Sequence, residues 1–219
     1  WLKENEPELW KKIEHVFTFQ DFIVYRLCGA AAIDHSMASR TMLFDIEEKQ
    51  WSKEISALAD IGCGVMSEPF IAGTIVGRLK DSLAAELGIK GNPVIVLGAH
   101  DHISNAVGCG VCKVGWAADA YGTTEGITAV IDKKSLKADS IIRYGISREP
   151  FVQAGLYNTV AWNNPSGVLL QWFAQKMCGR QDVGAALDEL NEKMPEAPSR
   201  QIVLPHFSGA ATPYMDELS

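Results

Sequence analysis

Several features that define whole classes of protein are scarce or missing in this chain of 219 residues. Cysteine is rare, and a secreted disulfide scaffold would be shorter and richer in it, so we expect a reducing, cytoplasmic setting. The five cysteines are Cys28, Cys63, Cys109, Cys112 and Cys178. No apolar run approaches the roughly 18 residues of a transmembrane helix. No basic segment leads into a short apolar one at the start, so no signal peptide is visible.

Positive charge is also in the minority. The chain has 20 Lys and Arg against 27 Asp and Glu, which gives a net charge of -7. This balance disfavours nucleic acid or an anionic membrane as a partner. It still allows one phosphate pocket, because backbone N–H groups can build such a pocket. With 47% hydrophobic and 21% charged residues, the composition is that of an ordinary globular protein rather than a disordered one.

The pattern of the chain changes close to Val114. Before it, strand-like and helix-like segments alternate, ending with TIVGRL, KDSLAAELGI, NPVIVLGAHD and HISNAVGCG. The continuous apolar run VIVL suits a strand covered on both faces. After it, two loosely alternating segments surround Gly122-Thr123-Thr124 and predict a hairpin. We therefore expect an α/β protein in two parts, residues 1–113 and 114–219.

Capping residues and glycines predict several helix boundaries. We expect a helix over residues 1–16 and a second, DFIVYRL, that Asp21 caps and Gly29 ends. Ser52, Ser166 and Asp182 are candidate caps of three further helices. The segment IVLPHF predicts a last short strand.

The strongest local signal for chemistry is VIVLGAHDH, residues 94–102. An apolar strand delivers Gly98 and then Asp101 at its carboxyl end, where ligands gather in open α/β sheets. An Asp at this place can accept a proton from a substrate hydroxyl as a general base. The residues alone leave a second interpretation open, in which Asp101 only caps the following helix.

Two further segments contain small residues that suit phosphate binding. In YGTTEG, Gly122 and Thr123 stand at a tight turn whose backbone N–H groups and hydroxyls can face an anion. In NNPSG, residues 163–167, Gly167 lies at the predicted start of a helix, which can also face a phosphate. Each segment taken alone is more typical of an ordinary turn or cap.

Taken in order, these segments resemble the FGGY family of carbohydrate kinases. FQDFIVYRLCGAAAIDHSMASRTMLFDIEEKQW is similar to that family's KDYLRYRLTG…TDYSxASxTxLFD…W stretch, and GAHDH is similar to its GGHD signature, with Ala99 in place of a glycine. YGTTEG resembles the phosphate turn, GVLLQWF the helix with a late Trp, and PHFSGAATPYMD the PxFxGxxxPxWD segment. Five separated segments agree, so we regard the resemblance as specific.

The resemblance implies a ribonuclease-H/actin-like ATPase fold and transfer of the ATP γ-phosphoryl group, with Mg²⁺, to a hydroxyl of a pentulose, deoxy-sugar or polyol. By position Asp101 matches the catalytic base and His102 a substrate-contacting residue. Gly122, Thr123 and Gly167 match residues close to the nucleotide. Residues 1–113 would be the C-terminal part of domain I and residues 114–219 the N-terminal part of domain II. The partner would be a small sugar, without nucleic acid or membrane, and a homodimer is compatible with it.

The same resemblance shows departures. The family's opening phosphate loop and its closing Gly-rich adenosine segment have no counterpart here, so we expect a central portion of a longer kinase that is inactive alone. The alternative is a non-catalytic pseudokinase or a sugar-binding remnant.

A metal centre is a competing interpretation of His100, Asp101 and His102, because such residues are common metal ligands. We expect no metal, since neighbouring positions at a helix start do not converge easily. Cys109 and Cys112 form a CxxC without a second pair, so small-residue packing is the expected role.

Overall fold

A computed structural model describes residues 1–204 and 206–216. The chain divides into two compact units. Unit 1 comprises Trp1–Ser104 and Glu149–Tyr157, and unit 2 comprises Asn105–Arg148 and Asn158–Ser219. The expected division of the family domains between residues 113 and 114 stays a prediction.

Unit 1 contains short helices. They are α1 (Leu2–Asn5), α2 (Pro7–Trp10), α3 (Phe19–Cys28), α4 (His35–Ser39), α5 (Lys53–Leu58), α6 (Asp81–Glu86) and the start of α7 (Asp101–Gly108). The single helix expected over residues 1–16 is wrong. Glu6 leaves the helical conformation, and Pro7 starts a new helix, because the ring of Pro7 is tolerated only in a first turn.

Six strands of unit 1 form three two-stranded pairs. They are β1 (Ala32–Asp34), β2 (Phe44–Asp45), β3 (Gln50–Trp51), β4 (Glu68–Phe70), β5 (Ile75–Arg78) and β6 (Val94–Val96). β1 pairs with β4 in parallel, while β2 with β3 and β5 with β6 are antiparallel. The expectation that β6 is covered on both faces is wrong, because Val94 and Val96 are exposed in this structure.

Unit 2 is built around an antiparallel hairpin of β7 (Ala117–Tyr121) and β8 (Glu125–Ile131), with Tyr121 opposite Glu125. This hairpin confirms the expectation from Gly122-Thr123-Thr124. After α8 (Ala138–Tyr144) and the two-residue strand β9 (Glu149–Pro150) of unit 1, β10 (Tyr157–Asn163) lies next to β8. Two helices follow, α9 (Gly167–Trp172), which continues as a π-helical turn over Phe173–Met177, and α10 (Val183–Glu192).

Two small apolar clusters lie in the core of unit 1. One joins Val24, Ala32 and Leu97, which lie on α3, on β1 and just after β6. The other joins Ile33, Ala38 and Phe44, with Trp51 against Phe44. Both clusters include β1 residues, so they fix the strand that leads into α4.

The predicted helix caps are largely confirmed. Ser52 accepts from the Ile55 N–H and Asp182 from the Ala185 N–H, and Gly29 ends α3 in the left-handed conformation. Ser166 occupies the cap position of α9, but its side chain makes no cap hydrogen bond. The expectation for Asp21 is wrong. It is buried inside α3, where its carboxylate accepts hydrogen bonds from the hydroxyls of Thr18 and Ser67.

Two smaller expectations concern a strand near the end of the chain and the lack of a membrane-spanning helix. The strand expected over IVLPHF does not form at residues 202–204, and Pro205 lies outside the described residues. Among the described residues, no helix combines the length and the apolar character needed to cross a membrane.

Candidate functional site

Asp101 begins α7, at the end of the loop that follows β6. Its side chain is 90% exposed, and its Oδ1 accepts a hydrogen bond of 2.7 Å from the His102 backbone N–H. The Nδ1 atoms of His100 and His102 lie 2.8 Å and 3.4 Å from the same oxygen. A carboxylate that faces solvent between two imidazoles is therefore the centre of this site.

The surroundings of Asp101 keep it ionised. Partial burial raises the pKa of its carboxyl, but the His102 backbone N–H and the rings of His100 and His102 outweigh that effect and lower it. Burial lowers the pKa of His100, and the nearby His102 and Arg40 lower it further. The site thus presents an anionic acceptor beside a largely neutral imidazole.

Buried polar residues hold the loop that carries Asp101. Asp34 at the end of β1 accepts from the N–H groups of Ser36 and Met37 and, at 2.6 Å, from the Ser36 hydroxyl. The Ser36 oxygen in turn accepts from the His100 N–H at 2.9 Å. The position of His100, and with it that of Asp101, therefore depends on the Asp34 cap at the start of α4.

Gln20 on α3 provides a second support. Its Nε2 donates to the Gly98 carbonyl at 3.1 Å, and its Oε1 accepts from the Asp34 N–H at 3.2 Å. One amide side chain thus links the loop before Asp101 to the strand that carries Asp34. The FQD segment contained Gln20, but nothing in the sequence distinguished it from a solvated glutamine.

The second group of predicted residues lies in unit 2. The Gly167 N–H donates to the Gly122 carbonyl at 2.9 Å, and the Ser166 N–H donates to the Thr123 carbonyl. A Cβ on Gly167 would come 2.6 Å from the Gly122 oxygen, so only glycine allows this approach. Backbone hydrogen bonds therefore join the start of α9 to the hairpin turn.

The turn itself is exposed at Gly122, Thr123 and Thr124. The Gly122 N–H already donates to the Thr124 carbonyl at 2.9 Å, so both backbone groups of Gly122 are engaged inside the protein. The position of Gly122 near the nucleotide stays a prediction. The N–H and hydroxyl groups of the two threonines are the donors that the turn offers instead.

The part of the chain that contains Asp101 matches a known protein family. The model of the N-terminal domain of the FGGY family of carbohydrate kinases matches residues 1–108, which include Asp101 and its supports. This part of the chain therefore belongs to the FGGY family of carbohydrate kinases.

The FGGY likeness extends over nearly the whole chain. A xylulose kinase of Bacillus subtilis is 25% identical and aligns with 99% of this chain, and a glycerol kinase of Thermococcus kodakarensis is 29% identical and aligns with all of it. The chain spans 42% and 43% of the length of these two relatives.

Solved structures confirm the predicted actin-like fold. A protein described as a xyloylose kinase from Brucella ovis superposes with a TM-score of 0.84 at 25% identity, over 100% of this chain and 44% of that one. A glycerol kinase of Plasmodium falciparum solved with ADP gives 0.81 at 20% identity, over 99% and 43%.

The structure places each FGGY site residue predicted from the sequence. Asp101 and His102 lie together in unit 1, and Gly122, Thr123 and Gly167 lie together in unit 2. Their roles in binding and catalysis stay predictions. Sequence reasoning missed Glu149, whose carboxylate lies beside His102, because no local pattern connects the two residues.

The expectation that His100, Asp101 and His102 do not converge is wrong, because one ligand atom from each lies within 4.8 Å of the others. The cationic Arg40, which lowers the pKa of His100, opposes a metal cation at the same place. The absence of a metal stays a prediction.

Cys109 and Cys112 are both exposed, so the expectation that they pack among small residues is wrong.

Proposed function

We propose that this chain forms part of an ATP-dependent kinase that phosphorylates a hydroxyl group of a sugar or polyol in the cytoplasm. The observation that carries the proposal is the exposed, ionised Asp101 carboxylate. Asp34 and Ser36 hold the neighbouring His100 backbone through hydrogen bonds. Family membership and the names of the relatives support the reaction class.

The unit 1 site is suited to holding an attacking hydroxyl. The Asp101 carboxylate, whose pKa is lowered, accepts a hydrogen bond from that hydroxyl and takes up its proton as the oxygen attacks. Phosphoryl transfer has a loose transition state and needs orientation more than a strong base, so an ionised Asp is adequate. His102 contacts the substrate beside it.

Sugar kinases of this family use ATP, typically with Mg²⁺. The bound nucleotide would supply the phosphoryl group, and Mg²⁺ would neutralise its charge. The exposed turn offers the Thr123 donors, and Gly167 keeps the turn against α9. Asp119 and Glu125 surround Tyr121 and raise its pKa, so the turn is locally acidic. This charge disfavours a bare polyphosphate, and the residues present fit the nucleotide as its Mg²⁺ complex.

Release of ADP tests the proposal in the protein as its gene encodes it. We expect ADP release with at least one of D-xylulose, glycerol and L-fuculose in the presence of Mg²⁺ and ATP. Asp101→Asn keeps the size of the side chain and should lower kcat about 10²–10⁴-fold, because it removes the proton acceptor. The matched control is Asp188→Asn, which changes an exposed Asp on α10 and should leave kcat unchanged.

Two results would count against the proposal. Near-normal kcat in Asp101→Asn would remove Asp101 from the role of base. Sugar binding by calorimetry with no ADP release from any of these compounds would favour the alternative, a non-catalytic sugar-binding protein.

A further inference from the structure

Three neighbouring side chains of unit 1 bring metal-ligand atoms close together. One such atom each from His100, Asp101 and His102 lies within 4.8 Å of the other two. Oδ1 of Asp101 is 2.8 Å from Nδ1 of His100 and 3.4 Å from Nδ1 of His102. A zinc ion with bonds of about 2.0–2.2 Å holds its ligand atoms roughly 3–3.5 Å apart. The cluster therefore needs little rearrangement to share one ion.

The close approach of His100 to Asp101 is not a hydrogen bond. Nδ1 of His100 is buried and has no hydrogen-bond partner among the described residues, although Oδ1 of Asp101 is only 2.8 Å away. A buried polar nitrogen without a partner is costly. A cation bound to both atoms would satisfy the nitrogen and the carboxylate together. The Asp101 side chain is 90% exposed, so an ion can reach the cluster from solvent.

Glu149 lies behind His102, at the place where metal sites commonly have an outer carboxylate. Its side chain is 5% exposed, and its Oε2 lies 3.6 Å from Nε2 of His102. Without an ion, the His102 side chain donates toward Asp101. An ion bound to Nδ1 of His102 replaces that contact, and the ring proton then resides on Nε2. A metal-bound histidine usually directs its other N–H at a carboxylate or a carbonyl, and Glu149 meets this condition.

The local charge allows a dication without favouring tight binding. Arg40 opposes a cation here, but its Nη1 is paired with Oε1 of Glu149 at 3.0 Å. The pair is close to neutral as a unit, so the negative charge of Asp101 is left to attract an ion. Two imidazoles and one carboxylate suit Zn²⁺ and similar ions better than Mg²⁺, which prefers oxygen ligands.

We propose that His100, Asp101 and His102 form a binding site for added Zn²⁺ or a similar divalent transition metal, with Glu149 orienting His102. The predicted absence of a metal concerns the protein as isolated, whereas this site fills when the metal is supplied. The bound ion occupies the Asp101 oxygen that the substrate hydroxyl needs, so it inhibits the reaction. This statement about inhibition, unlike the site itself, rests on the proposed kinase function.

A Co²⁺ titration of the chelator-treated protein, as its gene encodes it, tests the site without any enzyme activity. Bound Co²⁺ absorbs visible light, whereas d¹⁰ Zn²⁺ does not. We expect saturable absorption in the wild type and its loss when Zn²⁺ displaces Co²⁺. Asp101→Asn and His100→Gln should each weaken binding about tenfold or more, because each removes a ligand. The matched controls are Asp188→Asn and His15→Gln, which change exposed residues outside the cluster.

Glu149→Gln tests whether the fold orients the site. Loss of a carboxylate behind a ligating histidine typically lowers metal affinity about 10–100-fold, and we expect a loss in this range. Glu189→Gln is the matched control, because Glu189 pairs with Arg180 and Lys193 on the surface of unit 2. An unchanged Co²⁺ affinity in a folded Glu149→Gln protein would contradict the orienting role of Glu149.

Two results would overturn the metal site itself. Co²⁺ is paramagnetic and broadens nearby NMR signals, so unaffected amide signals at residues 100–103 of the wild type would exclude binding there. This measurement needs no variant to fold. The other result is Co²⁺ binding that survives in Asp101→Asn but disappears in Cys109→Ser, which would place the ion at an exposed thiol.

Kinetics of the protein as its gene encodes it test the inhibition. With Zn²⁺ added at saturating Mg²⁺ and ATP, the KM for D-xylulose or glycerol, whichever is turned over, should rise while kcat stays unchanged. Glu149→Gln should be less sensitive to Zn²⁺ than the wild type. Inhibition that ATP relieves but the sugar or polyol does not would contradict competition at Asp101. If the wild type phosphorylates neither compound, the kinase function is in doubt for these substrates, whereas the Co²⁺ result stands.

Discussion

The two candidate sites are built from different parts of the chain. In unit 1, side chains form the site: Asp34 and Ser36 hold the His100 backbone, and imidazoles flank Asp101. In unit 2, the contact between Gly167 and Gly122 is made by backbone atoms, and its geometry depends on the absence of a Cβ. A side-chain site responds to pH and to loss of a polar group, whereas a backbone site responds to added bulk.

Removal of a cap should show the largest difference between the units. Asp34→Ala leaves the Ser36 hydroxyl and two N–H groups without their buried acceptor, so we expect a loss of about 3 kcal/mol in the stability of unit 1. Asp182→Ala removes an exposed cap of α10 and should cost unit 2 about 1 kcal/mol. Hydrogen exchange of amides in each unit measures both values. Equal losses would mean that burial does not strengthen the Asp34 cap.

Added bulk should have the next largest effect, and in unit 2. Gly167→Ala places a Cβ 2.6 Å from a backbone oxygen, so the turn or α9 must move, at a cost of about 2 kcal/mol. Gly126→Ala in β8 is the control, because a Cβ there meets nothing within 4 Å. Hydrogen exchange in β7 and β8 reports the loss. Similar values for both variants would show that the turn adapts to a methyl group at no cost.

Acid should weaken unit 1 more than unit 2 between pH 7 and pH 5. Burial, His102 and Arg40 lower the pKa of His100 below 6.5, so unfolding takes up protons and stability falls as the pH drops through the unfolded value. In unit 2, the carboxyl groups of Asp132 and Glu189 have a lowered pKa, so their contribution is lost only in stronger acid.

Denaturant unfolding at several pH values, followed by amide signals of each unit, measures this difference. His100→Gln should flatten the profile of unit 1 only in part, because burial also lowers the pKa of His35. A free energy of unfolding for unit 1 that rises as the pH falls would contradict the expected sign.

Asp101→Asn should have the smallest effect on stability. The side chain is 90% exposed, so we expect a change within about 0.5 kcal/mol despite the lowered pKa of the carboxyl. Thermal unfolding of the 219-residue protein checks this value. A loss of several degrees in the midpoint would show that Asp101 also holds the start of α7, as its hydrogen bond with the His102 N–H permits.

The sequence by itself determined the features that depend on neighbours along the chain. Gly29 ends α3 because glycine adopts the left-handed conformation without strain, and Ser52 and Asp182 cap helices through N–H groups three residues away. The hairpin around Gly122 followed from alternation and a turn of small residues. The order of such segments was sufficient to indicate the FGGY family.

Only the tertiary structure decided which distant groups meet. Asp21 has the sequence signature of a cap, yet Ser67 draws it into the interior, and Val94 in an apolar run remains exposed. Glu149 meets Arg40 and His102 from separate segments, and no periodic pattern records such a pairing. Local conformational preferences act over one or two turns of chain. The charges and hydrogen bonds that orient a site act through space, between residues that folding alone brings together.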